Sequence, residues 1–381
     1  MLDTAEHTEF RTLVRNVVQK ELEPHVDQWE ADGFFDAHDL FPKLAEYGLL
    51  GLNYDPEYGG QGVDFSYARI AAEELAKCSS AGVSMAIGVQ NHMATPSLHD
   101  FGTEEQKEEF LAPALAGEHV AAIAVTEPGA GSDVAGIRTK ATREDDHWVI
   151  SGEKTFITNG TQADWYCMLV RTGDEGGYRG MSQILVPRET PGFEVSRKLR
   201  KLGNHASDTA ELRLDNVRVP VANTIGEIGR GFQQQMSQFI IERYYAMCSA
   251  VGTCEDALER TRDYMRSREV FGRPLSDRQY LVFQLTELAA EVEMLKALNA
   301  QVSQLLEQGE DVTRLVTVGK LKSSRLSKDV ADFVVQAHGG MGYMEENWTA
   351  RFFRDKRLAS IGGGADEVML QVLAQMDGMT V

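Results

Sequence analysis

Ala124-Val-Thr-Glu-Pro-Gly-Ala-Gly-Ser-Asp-Val-Ala-Gly136, followed by Lys154-Thr-Phe-Ile-Thr-Asn-Gly160, is the stretch on which the reading of this chain turns. Gly129, Gly131 and Gly136 expose backbone amides, while Thr126, Ser132 and Thr158 offer hydroxyls, so the two segments together suit a polar cofactor. The plainer alternative is a loop whose glycines merely supply positive φ.

The pattern of the chain changes on either side of this stretch. Before it, Phe10, Leu13, Val14, Val17, Val18 and Leu22 recur at helical spacing behind Asp3 or Thr4 as a cap, and further helices are expected over residues 36–49, 66–77 and 104–116. From about Ala121 short β-rich runs follow one another, at residues 148–150, 155–158, 165–170, 183–186 and 211–219, with Pro220 suited to the close of a strand. Beyond Gly229-Arg-Gly231 the helical spacing returns over residues 232–268 and 313–337. Between them Leu281, Leu285, Leu288, Val292, Leu295, Asn299, Val302 and Leu306 form the narrow seam of a bundle helix. The expected fold is mainly α with a β-domain: an N-terminal helical domain (1–120), a middle β-barrel or sandwich (121–229) and a C-terminal four-helix bundle (230–381).

Composition narrows the function. The formal charge of −20 disfavours non-specific attraction to nucleic acid and means that an anionic ligand needs local arginines or helix N-termini. Cys78, Cys167, Cys248 and Cys254 form no C-x-x-C pair and the histidines no H-E-x-x-H, so neither a metal site nor a disulfide framework is expected. Gly129-Ala-Gly131 lacks the third glycine of a dinucleotide fingerprint, which argues against a nicotinamide cofactor. No export signal, membrane-spanning run or C-terminal targeting tripeptide is read, and the expected location is cytoplasmic.

The two opening segments resemble the flavin-binding signature of acyl-CoA dehydrogenases, and the resemblance extends from Leu49-Leu-Gly-Leu52 and Tyr58-Gly-Gly60 to Gly364. It implies FAD held between subunits of a homotetramer. Ile123, Val125, Thr126, Gly131, Ser132, Phe156 and Thr158 match positions that contact the flavin or its phosphates, with Phe156 where several relatives carry Trp. Arg268-Glu-Val-Phe-Gly272, which includes Phe271, together with Gln279 and Gln336-Ala-His-Gly-Gly340, matches the elements that a neighbouring subunit contributes to FAD. A guanidinium such as that of Arg268 suits pyrophosphate because it binds anionic oxygens in a fixed fork.

The chain departs from the commonest family pattern at the catalytic base. Many relatives place a glutamate in a Tyr-Glu-Gly-Thr segment near the C-terminus, whereas this chain reads Ile361-Gly-Gly-Gly-Ala-Asp-Glu367, with Gly363 in the glutamate's place. The long-chain and isovaleryl branches carry the base in a Glu-Arg pair on the first bundle helix, here Glu242-Arg243. The resemblance therefore implies Glu242 as base, Gly363 as a backbone N–H donor to the thioester carbonyl, and Ser132, Arg243 and Gly362 at the substrate. Asp366 and Glu367 are nearby carboxylates in the wrong register.

The implied reaction is α,β-dehydrogenation of an acyl-CoA to the trans-2-enoyl-CoA, with hydride passing to flavin N5 and electrons onward to an electron-transferring flavoprotein. An oxygen-using oxidase and a non-catalytic binding protein on the same scaffold are the rivals. Met85-Ala-Ile-Gly-Val-Gln90 faintly resembles citronellyl-CoA dehydrogenases, and the glycines at 362–364 leave room for long or branched acyl chains.

Overall fold

The structure is a computed structural model that describes residues 3–380. Met1, Leu2 and Val381, the extremities of the stretches read for targeting signals, lie outside the described residues. The N-terminal part is helical: α1 (Ala5–Val17), α2 (Val26–Asp32), α3 (Ala37–Glu46), α4 (Phe65–Leu75), α5 (Ala81–Val89), α6 (Pro96–Phe101), α7 (Glu104–Gln106) and α8 (Ala112–Leu115). Thr4 starts α1 with a reciprocal capping box to His7, satisfying donors that the first turn leaves free.

Eight strands follow: β1 (Ala121–Ala124), β2 (Lys140–Glu144), β3 (His147–Thr158), β4 (Trp165–Arg171), β5 (Met181–Pro187), β6 (Phe193–Lys198), β7 (Thr209–Pro220) and β8 (Thr224–Ile225). They form one sheet in the order β6-β7-β3-β2-β4-β5-β8, with β1 added parallel to β4. The runs expected at 148–150 and 155–158 are a single strand, β3, interrupted by register shifts against β7. Pro220 closes β7.

The rest is helical apart from a small hairpin, β9 (Glu269–Val270) with β10 (Arg273–Pro274). Three long helices, α9 (Gly231–Ser267), α10 (Gln279–Glu307) and α11 (Thr313–His338), are followed by α12 (Trp348–Lys356) and α13 (Asp366–Met376), both packed on α11. The seam read on α10 buries Leu285, Val292, Leu295, Asn299 and Val302.

Two of the cores join the three parts. One runs from α1 and α3 into the sheet through Phe41, Trp148, Tyr166 and Val217, and another joins α5 to α8 with Tyr244, Tyr245 and Val302. Gly252 lets α9 lie directly on α4, since a Cβ there would come within 1.9 Å of the Glu73 carbonyl oxygen. The buried Asp355 carboxylate ties all three parts by accepting the Asn204 N–H at 2.6 Å and the Ala81 N–H at 3.3 Å. Among the described residues no helix is long and apolar enough to cross a membrane, no cluster of three His, Cys, Asp or Glu could hold a metal, and all four cysteines are buried and unbridged.

Candidate functional site

The loop between β1 and β2 is held to β3 by a buried ion pair. Lys154 is fully enclosed, and its ammonium donates to the Val125 carbonyl at 3.1 Å, the Leu169 carbonyl at 2.7 Å and Glu127 at 2.9 Å. Glu127 in turn accepts the backbone N–H groups of Arg138 at 2.6 Å and Thr139 at 2.9 Å, closing the loop on itself. Burial pushes the lysine down to about 8 against the opposing pull of Glu127. Neither residue was singled out as functional from the sequence. The available signal was a lysine opening the second signature segment within an otherwise strand-like run.

This anchoring sets the surface around it. The Thr155 N–H donates to the Thr126 carbonyl at 2.9 Å, and the register shift between Lys154 and Ile157 turns Phe156 outward at φ 61°, 68% exposed. Holding an aromatic residue in the left-handed region is costly, so the surrounding strand must enforce this presentation. Val125 is buried, Ile123, Thr126 and Thr158 are half-buried, and Gly131 and Ser132 are exposed beside them. Gly129, Gly131 and Gly136 do not adopt positive φ, which removes the turn-only reading. A Cβ at Gly129 would meet nothing within 4 Å and one at Gly131 only Thr126 at 3.9 Å, so this pair leaves open surface. Open backbone, hydroxyls and an outward aromatic face fit a flavin nucleotide.

A second group lies where α9 and α11 end. Arg268 caps α9, and Phe271 with Gly272 makes the β9–β10 turn with both residues at positive φ, leaving the Phe271 ring 92% exposed. Gln279 begins α10, and Gln336 and Gly340 flank the end of α11; all three are exposed. Tyr264 stacks on His338 with ring centroids 4.1 Å apart, which brings the α9 and α11 ends together.

The third group surrounds the glycine turn before α13. Gly363 has φ +64° and Gly364 φ +98°, so here the glycines are needed for the backbone as well as for space. A Cβ on Gly363 would lie 3.2 Å from Glu242 Oε1: the side chain absent at 363 is the space into which Glu242 reaches from α9. Among the described residues no backbone carbonyl accepts the Gly363 N–H, whereas those of Ile361 and Gly362 donate to Leu358. Glu242 retains some exposed surface, yet desolvation of its carboxylate pushes it up to about 7, with the positive charges of Arg243 and Lys320 pulling the other way. Arg243 keeps a buried Nε without a partner among the described residues. Asp366 is committed elsewhere, accepting from Ser324 at 2.8 Å and Ser360 at 3.1 Å, while Glu367 is exposed. Lys320, buried under the turn, was not anticipated; a lone lysine on an amphipathic helix carries little sequence signal.

Comparison with known proteins agrees with this architecture over nearly the whole chain. Residues 4–118, 122–217 and 229–376 match the N-terminal, middle and C-terminal domains of acyl-CoA dehydrogenases respectively. The chain is 35% identical to the long-chain specific acyl-CoA dehydrogenase of Rattus norvegicus mitochondria, across 98% of this chain and 86% of that protein. The crystal structure of an acyl-CoA dehydrogenase from Geobacillus kaustophilus superposes with a TM-score of 0.95 at 37% identity, covering 99% of both chains. A glutaryl-CoA dehydrogenase from Mycobacterium smegmatis, solved in complex with FADH2, superposes at 0.93 with 29% identity, over 99% of this chain and 96% of that one. With three consecutive domain matches and the fold shared end to end, this chain belongs to the acyl-CoA dehydrogenase family of FAD-dependent enzymes.

Proposed function

We propose that the chain catalyses α,β-dehydrogenation of an acyl-CoA thioester with Glu242 as the base. The observation that carries this reading is the Glu242 carboxylate, raised to about 7 by desolvation and aimed at the space left by the missing side chain of Gly363. Glu242 takes the α-proton, and the free N–H of Gly363 stabilises negative charge developing on the thioester carbonyl oxygen. FAD, when bound, supplies N5 as acceptor for the hydride that leaves the β-carbon. Thr126, Gly131, Ser132, Phe156 and Thr158, with Ile123 and Val125 beneath them, hold the flavin; Ser132, Arg243 and Gly362 line the substrate path.

In a homotetramer, Arg268, Phe271, Gln279, Gln336 and Gly340 complete the neighbour's FAD site. The 92% exposure of the Phe271 ring, with Tyr280 at 73% and Phe283 at 62%, supports a face covered by another copy. Electrons pass to an electron-transferring flavoprotein. The lack of side chains at Gly362, Gly363 and Gly364 beside Glu242 favours acyl chains that are long or methyl-branched.

A panel of acyl-CoA thioesters assayed with an artificial electron acceptor tests both chemistry and specificity. Longer and branched chains are expected to give the higher kcat/KM, each additional buried methylene contributing about 0.8 kcal/mol until the pocket is filled. The base works only when deprotonated, so the rate of flavin reduction rises with pH through about 7. A sharp optimum at butyryl-CoA contradicts the roomy pocket, and a rate independent of pH between 6 and 8 contradicts the assigned base.

A further inference from the structure

The turn that carries Gly363 is tied down from below by a lysine that bonds its backbone at two points. Lys320, on the face of α11 beneath it, is 2% exposed; its ammonium donates to the Ala359 carbonyl at 2.9 Å and to the Gly364 carbonyl, the two ends of the segment that contains Gly362 and Gly363. The same lysine lies beside the space that Glu242 occupies, since a Cβ on Gly363 would be 3.2 Å from Glu242 Oε1 and 3.8 Å from Lys320 Cε. One cation thus bonds the turn directly and lies close enough to Glu242 to act on it through its charge.

We infer that Lys320 is a positioning residue for the reaction: it clamps the Ala359–Gly364 turn so that the Gly363 N–H faces the substrate carbonyl, and its charge, added to that of Arg243, favours the ionised form of Glu242 that accepts the proton. The inference rests on the reading of Glu242 as base. A neutral hydrogen-bond donor could supply the clamp alone, and a distant cation could supply the charge alone; the geometry combines them. Lys320 faces Asp366 and Glu367 from α13 and Glu242 and Arg243 from α9. Asp366 is anchored by Ser324 and Ser360 and is approached by Arg325 and Lys328 at 3.6 Å each; it acts on Lys320 more strongly than Glu242 does, and Glu242 comes next. Desolvation brings Lys320 down to about 8, with the charges of Asp366 and Glu242 pulling the other way.

The test uses the full-length, FAD-loaded protein. Single-turnover flavin reduction is followed against pH for the wild type, Lys320→Met, Lys320→Gln and Lys320→Arg, and amide hydrogen exchange is measured across residues 359–364. Removing the cation favours the protonated carboxylate, so both neutral variants are expected to move the acid limb of the rate profile upward by about one pH unit. This costs up to about tenfold in rate below the limb, and in Lys320→Met, which has no donor to replace the clamp, the amides of the turn exchange faster. Arginine keeps the charge and is expected to keep the limb at its wild-type pH. For the limb, either neutral variant suffices if the other fails to accumulate as holoenzyme. A wild-type acid limb in a neutral variant, or unchanged exchange across 359–364 in Lys320→Met, overturns the inference. A Glu242→Gln control separates the two readings: normal flavin reduction in that variant removes the base itself, whereas its loss together with an unmoved limb in Lys320→Met removes only the role of Lys320.

Discussion

Lys154 illustrates how much a single buried residue controls here. Its ammonium meets two carbonyls and Glu127 in an enclosed space, and the partner carboxylate fixes the backbone of the loop that carries Thr126, Gly131 and Ser132. Removing one member of a buried pair leaves the other charge uncompensated, at a cost of about 3–5 kcal/mol. Lys154→Met is therefore expected to lower stability by that order in chemical denaturation and to weaken FAD retention. The double variant Lys154→Met with Glu127→Leu removes both buried charges but leaves the Arg138 and Thr139 N–H groups without their acceptor, so it should recover only part of the stability while still retaining FAD poorly. Equal FAD affinity in the single variant and the wild type would mean that the loop holds its shape without the pair.

At the scale of elements, the long helices are positioned by close backbone approaches, the clearest being Gly252 of α9 against Glu73 of α4. The contact is to a carbonyl oxygen rather than to a flexible side-chain end, so it cannot yield locally. Gly252→Ala is expected to destabilise the fold by about 1–3 kcal/mol through overpacking, despite the better helix propensity of alanine; a midpoint of urea unfolding equal to that of the wild type would show that the two helices can separate at no cost. Elements with a clean period were legible in the sequence: α9, α10 and α11 follow from their apolar spacing, and β7 from the alternation in Leu212-Arg-Leu-Asp, which a register shift interrupts before Val217. α5 was missed because it is buried on nearly every side, so its apolar residues have no face to mark a helical period. β2 and β6 were missed for the opposite reason, since most of their residues are exposed and polar. The pairing of Glu242 with the gap at Gly363 spans more than a hundred residues and was reached through family resemblance; charge pattern alone made Glu242-Arg243 an ordinary helix surface.

For the whole molecule, the arrangement of the second group of residues leads to an assembly claim. Arg268, Phe271, Gln279 and Gln336 are exposed in the single chain, and among the described residues no ion pair engages Arg268, although a guanidinium is well suited to a pyrophosphate. If another copy's cofactor occupies this face, Arg268→Ala should release FAD more readily, by about tenfold or more in dissociation constant for a charge-assisted contact, while the chain remains folded. Sedimentation and the flavin absorbance of the purified protein read both quantities together. A monomeric wild type whose FAD affinity is untouched by Arg268→Ala would contradict the shared site.

If the carboxylate of Glu242 starts the reaction, its loss shows in anaerobic single-turnover flavin reduction by Glu242→Gln. Glutamine keeps the size and polarity of the side chain but cannot accept the α-proton. FAD content and acyl-CoA binding are expected to persist, while the rate of flavin bleaching falls by about a hundredfold or more, the scale of general-base loss. Bleaching at a near-wild-type rate in the FAD-loaded variant would mean that another group accepts the α-proton.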